Sequence, residues 1–228
     1  GDLYQLPPVA KNEEWKILNE YYASPFFFDS KAVKEQTPLL IELTTIYRQK
    51  EESFVGLLNK VRNNLLDRDD FEQLNNRYIK DFHPLGDEKY ITLTSHNNQA
   101  DNINQAKLHK LNATAYKYKA RIEGEFAPNI FPAEEALVLK EGTQVMFIKN
   151  DVVNKKYFNG KIGVVSSLTN EKITVQCDGE EIEVTEETWE NVRYTLNPSD
   201  EKLEQQVLGR FFQYPLRLAW AITIHKSQ

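Results

Sequence analysis

Tyr214-Pro215-Leu216-Arg217-Leu218-Ala219-Trp220-Ala221-Ile222-Thr223-Ile224-His225-Lys226-Ser227-Gln228 is an apolar run that ends in a small polar cluster. The run has the texture of a buried strand, and packing alone seldom produces a Thr-x-His-Lys-Ser-Gln ending. A second stretch has the same design. Tyr90 to Thr94 alternates β-formers and opens onto Ser95-His96-Asn97-Asn98, and a helical pattern then runs from Ala100 to Leu111. Strand, polar loop and helix in succession predict an α/β layer with a parallel sheet.

Further out, Asn12 to Tyr22 reads as a helix broken by Ser24-Pro25, and Leu39 to Leu43 as a short buried strand ending at Tyr47-Arg48-Gln49. Phe54, Leu57, Leu58 and Val61 fall at i, i+3, i+4 and i+7, one buried helical face. From Leu137 the pattern changes. Val145 to Ile148, Gly163 to Val165, Ile173 to Val175 and Ile182 to Val184 are short strands divided by the turn signals Asn159-Gly160 and Asp178-Gly179. Strands at this spacing predict a small β-barrel. Phe211 to Gln228 returns to the buried-strand texture, so a barrel inserted into one α/β domain accounts for the order.

The chain has 228 residues, 40% of them apolar, enough for one large or two modest domains. Its longest greasy segment, Leu216 to Ile224, is interrupted by Arg217 and is too short to span a membrane. Cys177 is the single cysteine, which rules out an internal disulfide and a cysteine-based zinc site and suits a reducing compartment. The formal charge of −6 is unevenly spread: Lys107 to Arg121 holds five basic residues and no acid, Glu180 to Glu190 six glutamates and no base. The first can follow a phosphate backbone while the second is held away from it, although two ordinary solvated faces give the same pattern.

The opening Gly1-Asp2-Leu3-Tyr4-Gln5-Leu6-Pro7-Pro8-Val9, then Tyr47-Arg48-Gln49, and finally Thr223 to Gln228 resemble motifs III, IV and V of superfamily-one (1B) helicases, in particular the petite-integration-frequency (PIF) and RecD-like DNA helicases. Gly142 to Asp151 with Phe158 to Val165 resembles the SH3-like insertion of that family. The resemblance implies an α/β fold: a RecA-like parallel-sheet domain with an inserted small SH3-like β-barrel. It places residues 1–36 at the end of a first motor domain, 37–120 and 211–228 in a second, and 121–210 in the insertion. Both ends read as cut from a longer protein, a fragment running from motif III to motif V.

By the same resemblance the parent is an ATP-dependent DNA helicase moving 5′ to 3′ along single-stranded DNA, with ATP and Mg2+ as cofactors. Gly1, Asp2, Gln5 and Arg48 would serve ATP, with Gln5 and Arg48 catalytic. A glutamine amide both donates and accepts, and a guanidinium stays charged and can pair two phosphate oxygens. Taken alone, the first motif is a proline-rich turn and Arg48 a strand-end residue. Thr94, His96, Asn97, Thr223, His225, Lys226, Ser227 and Gln228 are the expected DNA contacts; Ser95 or Asn97 would equally serve as a helix N-cap. No metal site is expected on the chain itself. No Gly-x-x-x-x-Gly-Lys-[Ser/Thr] loop occurs in the sequence, so the chain by itself is expected to be catalytically incompetent and to hold no tightly bound cofactor. Its expected partners are single-stranded DNA and a preceding RecA-like domain of the same chain. A monomer is expected, in bacterial cytoplasm, or in a nucleus or mitochondrion. The competing readings are a nucleic-acid-binding SH3/KOW-like module without motor activity and a protein-docking domain using the acidic face.

Overall fold

The computed structural model describes residues 12–36, 38–43, 49, 51–82, 90–196 and 203–224. The chain forms two compact units, Gly1–His83 and Pro84–Gln228. Helices are the only regular structure among the described residues of the first. α1 (Asn12–Leu18) ends four residues before Tyr22, a short 3-10 turn follows at Phe27–Asp29, and Ser30 caps α2 (Lys31–Glu35) through its hydroxyl, which accepts from the Val33 amide. α3 (Glu52–Arg62) follows the expected spacing, with Leu57 buried and Phe54, Leu58 and Val61 partly exposed. α4 (Arg68–Asn75) opens with a capping box in which Asp67 and Asp70 each accept the other's amide. The expected strand at Leu39 to Leu43 is not formed: this run has no regular structure and is solvent-exposed, with Leu40 at 90%. Ladder bonds need a neighbouring strand, and none pairs with it among the described residues.

The second unit is mixed α/β. β1 (Thr92–Thr94) leads into α5 (Asn97–Lys110), and β1 pairs in parallel with β12 (Ala221–Thr223), the end of the decisive apolar run. Between them lie β2 (Tyr116–Lys119), β3 (Arg121–Gly124), β4 (Ala136–Leu139), β5 (Gln144–Phe147), β6 (Ile162–Leu168), β7 (Ile173–Cys177), β8 (Glu180–Val184), β9 (Glu187–Leu196), β10 (Leu203–Gln213) and β11 (Leu216–Leu218). β2 pairs with β4, β3–β10–β9 is an antiparallel sheet, and β11–β5–β6–β7–β8 is a larger antiparallel one. No closed barrel forms among the described residues; β8 and β11 are the edges of an open sheet. Charge on β8, where Glu181 and Glu183 face solvent beside buried Ile182 and Val184, suits a free edge.

Turn chemistry follows the sequence. Asp178 and Gly179 have φ of 51° and 88° between the paired Cys177 and Glu180, the two-residue hairpin that Asp-Gly favours. Gly163 is required by packing, since a Cβ there would meet Cys177 Sγ and Val175 Cγ1 at 2.4 Å.

β5 is buried on both faces. Val145 and Phe147 enter a large core with Leu137, Leu139, Val175 and Leu216, while Met146 joins a smaller one with Ala219 and Ile222. The apolar run therefore serves two sheets: β11 pairs with β5, and five residues after Leu216 the chain enters β12 beside β1. No helix among the described residues is long and apolar enough to cross a membrane.

Candidate functional site

β1 and β12 stop together. Their register pairs Thr94 with Thr223, so the polar loop after β1 starts beside the point where Thr223 leads into Ile224. Both threonines are buried. Thr94 Oγ1 is placed to donate to the carbonyls of His96 (3.1 Å) and Ile222 (3.5 Å), which ties the first loop to the second strand. The threonines thus frame the site, while His96 and Asn97 are exposed at its rim. Ser95 Oγ and His96 Nδ1 share a hydrogen bond of 2.8 Å.

α5 begins at this rim. Its N-cap position is held by His96 without a side-chain hydrogen bond, so neither Ser95 nor Asn97 acts as the cap the sequence allowed. The positive end of a 14-residue helix lies beside the strand ends, an arrangement that favours anions. Its basic residues, Lys107, His109 and Lys110, lie in the last turn. The helix is fastened to β12 by Asn104, whose side chain donates to the Ala221 carbonyl and accepts from the Ala221 amide, both at 2.8 Å.

Two more buried amides join segments far apart in sequence. Gln144 Nε2 donates to the carbonyls of Tyr90 (3.1 Å) and Ala219 (2.8 Å). Gln213 donates to Tyr118 and Glu134 and accepts from the Tyr214 amide. Sequence reasoning gave none of these amides a role; the one available signal was a glutamine inside an otherwise apolar strand run.

A cleft of about 460 Å³ lies along α5 and β12, lined by Asn97, Asp101, Asn104, Gln105, Glu134, Arg217 and Thr223. Its charge is mixed, one guanidinium against two carboxylates. The basic stretch does not form one continuous face: Lys107 and Lys110 lie at the end of α5, Lys117 and Lys119 are exposed on β2, and Arg121 on β3 pairs with Glu123 and stacks over the Phe212 ring at 3.6 Å. On the acidic stretch Glu183, Glu187 and Glu190 pair with Lys172, Lys149 and Arg210.

Gly1, Asp2, Gln5, Arg48, His225, Lys226, Ser227 and Gln228 lie outside the described residues. Gln49, next to Arg48, lines a second cleft of about 450 Å³ with Phe54, Leu57, Leu74 and Arg77, within the first unit. The described residues include no cluster of His, Cys, Asp and Glu arranged to hold a metal ion.

No family model matches the chain. Over its whole length it is 31% identical to the ATP-dependent DNA helicase Pif1 of Campylobacter jejuni, of which it covers 53%, and 30% identical to the human ATP-dependent DNA helicase PIF1, of which it covers 34%. It thus spans about a third to a half of the length of these curated relatives. All of the chain also aligns with the Bacteroides Pif1 helicase at 37% identity, with a TM-score of 0.86 against the unliganded structure (53% of that chain) and 0.66 against the complex with ADP-AlF3 and ssDNA (52%). Likeness over the whole of its length, in sequence and in fold, places the chain with the Pif1-like helicases.

Proposed function

We propose that the chain is the part of a 5′-to-3′ ATP-dependent DNA helicase that runs from the end of its first motor domain through most of its second. The observation that carries this reading is the register of Thr94 against Thr223, which sets the start of the His96 loop and the end of β12 at one edge beside the helix N-terminus. Ser95, His96 and Asn97 present a hydroxyl, an imidazole and an amide there, groups that can hold phosphates without reading bases, and Lys226 is proposed to add an ammonium. The named activity of the relatives and the Bacteroides complex with single-stranded DNA support it.

In this reading residues 37–120 and 211–228 form a RecA-like layer, and 121–210 an insertion in which the open five-stranded sheet takes the part of the SH3-like barrel. Magnesium-bound ATP supplies the phosphoryl group, Arg48 stabilises charge on the departing phosphate, and Gln5 senses it. Single-strand binding tests the proposal. Labelled mixed-sequence strands are titrated at several salt concentrations against the chain and its Lys226→Ala variant. Affinity should fall for all sequences alike, and the salt slope should shrink by about 0.7, one phosphate contact. An unchanged affinity and slope would remove Lys226 from the strand's path.

A further inference from the structure

The loop between β5 and β6 is built with more care than a plain connection needs. Its base is Tyr157, buried with its ring stacked on Phe147 at 4.1 Å between centroids. The Asp151 amide donates to the Tyr157 carbonyl, closing the loop. The Asp151 carboxylate accepts from the backbone amides of Val153, Asn154 and Lys156, and Asn150 Oδ1 accepts from the Asn159 amide. These bonds hold the Asp151 carboxyl below the usual carboxylate range, the Asn154 amide contributing most. Lys155 sits at φ of 54°, a conformation a lysine adopts only when its surroundings impose it.

What the loop presents is apolar and basic. Val152 and Val153 are 80% and 86% exposed and Phe158 is 60% exposed. Lys155 and Lys156 are exposed, and neither ammonium has an ion-pair or hydrogen-bond partner among the described residues. The one acid of the segment, Asp151, is occupied by backbone amides, and neighbouring Lys149 and Lys161 are paired with Glu187 and Asp178. Unpaired cations and an exposed aromatic ring on one loop are the two parts that hold single strands without sequence preference, phosphates on the lysines and a base on the ring.

We infer that the Asp151 to Phe158 loop is a second contact for single-stranded nucleic acid, stacking an unpaired base on Phe158 and pairing phosphates with Lys155 and Lys156. The inference rests on the proposed DNA reading of the chain, but it lies outside the strand-end site.

The test titrates a fluorescein-labelled mixed-sequence strand against the whole chain, its Phe158→Ala variant and its Lys155→Ala/Lys156→Ala variant at several salt concentrations, with Lys226→Ala alongside. All three loop side chains are exposed, so melting temperatures should match the unaltered chain and exclude a folding defect. Phe158→Ala should weaken binding at least about fivefold with an unchanged salt slope. The double lysine variant should lower the slope by about 1.4, two contacts at 0.7 each. If the unaltered chain binds and both loop variants bind equally well with the same slope, the loop is not a nucleic-acid contact, whatever Lys226→Ala does. If the unaltered chain shows no salt-dependent binding, this inference and the strand-end reading fall together.

Discussion

Asn104 shows how much a single buried amide can decide. It lies within a helix whose polar composition suggests a solvated face, yet it is 5% exposed and spends both ends of its side chain on the backbone of Ala221. Asn104→Ala leaves the Ala221 N–H and C=O without those partners. A buried group left unsatisfied costs about 1–3 kcal/mol. We therefore expect the variant to lose about 2 kcal/mol or more, and the Ala221 amide to exchange with solvent much faster. A melting curve matching the unaltered chain, with Ala221 still protected, would mean that water replaces the side chain at no cost. The sequence could not announce this role, because the partner lies 117 residues away and an asparagine in a helix looks the same whether it faces water or a strand edge. The threonines behave the opposite way. The sequence singled out Thr94 and Thr223 as candidate DNA contacts, but it did not show their burial, which depends on the parallel pairing that only the folded chain supplies.

Elements were legible where local pattern and tertiary demand agree. α3 forms where the i, i+3, i+4, i+7 spacing sets a helix, although of that face Leu57 alone is buried among the described residues, and the β7–β8 hairpin follows Asp178-Gly179. The long β9–β10 hairpin was not foreseen: its strands mix Glu, Asn, Arg and Gln with apolar residues, so neither strict alternation nor a greasy run marks them. Its register shifts between Val207 and Gly209, and Gly209 sits against Glu125, where a Cβ would come within 2.4 Å of the carbonyl oxygen. The capping box of α4 offers a test at this scale. Asp67 accepts from the Asp70 amide and meets the Lys60 ammonium, each at 2.9 Å. The amide bond, then Lys60, lowers the Asp67 pKa, while Asp70, then Asp67, raises that of Lys60. A lowered carboxylate contributes stability above its unfolded value and loses it as pH falls through the folded one. A raised ammonium contributes below its unfolded value and loses it as pH rises through the folded one. The contribution of this pair should therefore be fully present between about pH 4 and about pH 10, and be lost as pH falls through the lowered Asp67 pKa or rises through the raised Lys60 one. Protection of the Asp70 amide, followed by hydrogen exchange corrected for intrinsic rates, should drop below about pH 4, and Asp67→Asn should flatten that drop while keeping a cap acceptor. Identical acid profiles for the two proteins would assign the transition to another group.

At the scale of the molecule, chemistry is divided between parts. The sequence carries no Gly-x-x-x-x-Gly-Lys-[Ser/Thr] loop, so it offers no such backbone cradle and no such lysine for the phosphates of ATP. The chain by itself should hydrolyse no ATP, and neither magnesium nor single-stranded DNA should rescue it. In a longer protein that adds a phosphate-binding domain, Arg48 is proposed to complete the site. A guanidinium that stabilises charge in the phosphoryl-transfer transition state typically raises turnover by 10³ or more. Arg48→Ala in that longer protein should cut ATP turnover by about 10³ while leaving single-strand affinity nearly unchanged, because the proposed DNA contacts are at the ends of β1 and β12 and do not include Arg48. Steady-state turnover and strand titration on one preparation separate the two effects. A fall in turnover of less than about tenfold in a folded variant would leave Arg48 outside the ATP site, and a parallel loss of DNA affinity would place it on the strand's path instead. Turnover that co-purifies with the chain alone and vanishes on Arg48→Ala would overturn the division itself, since it would require a phosphate site that the sequence does not show.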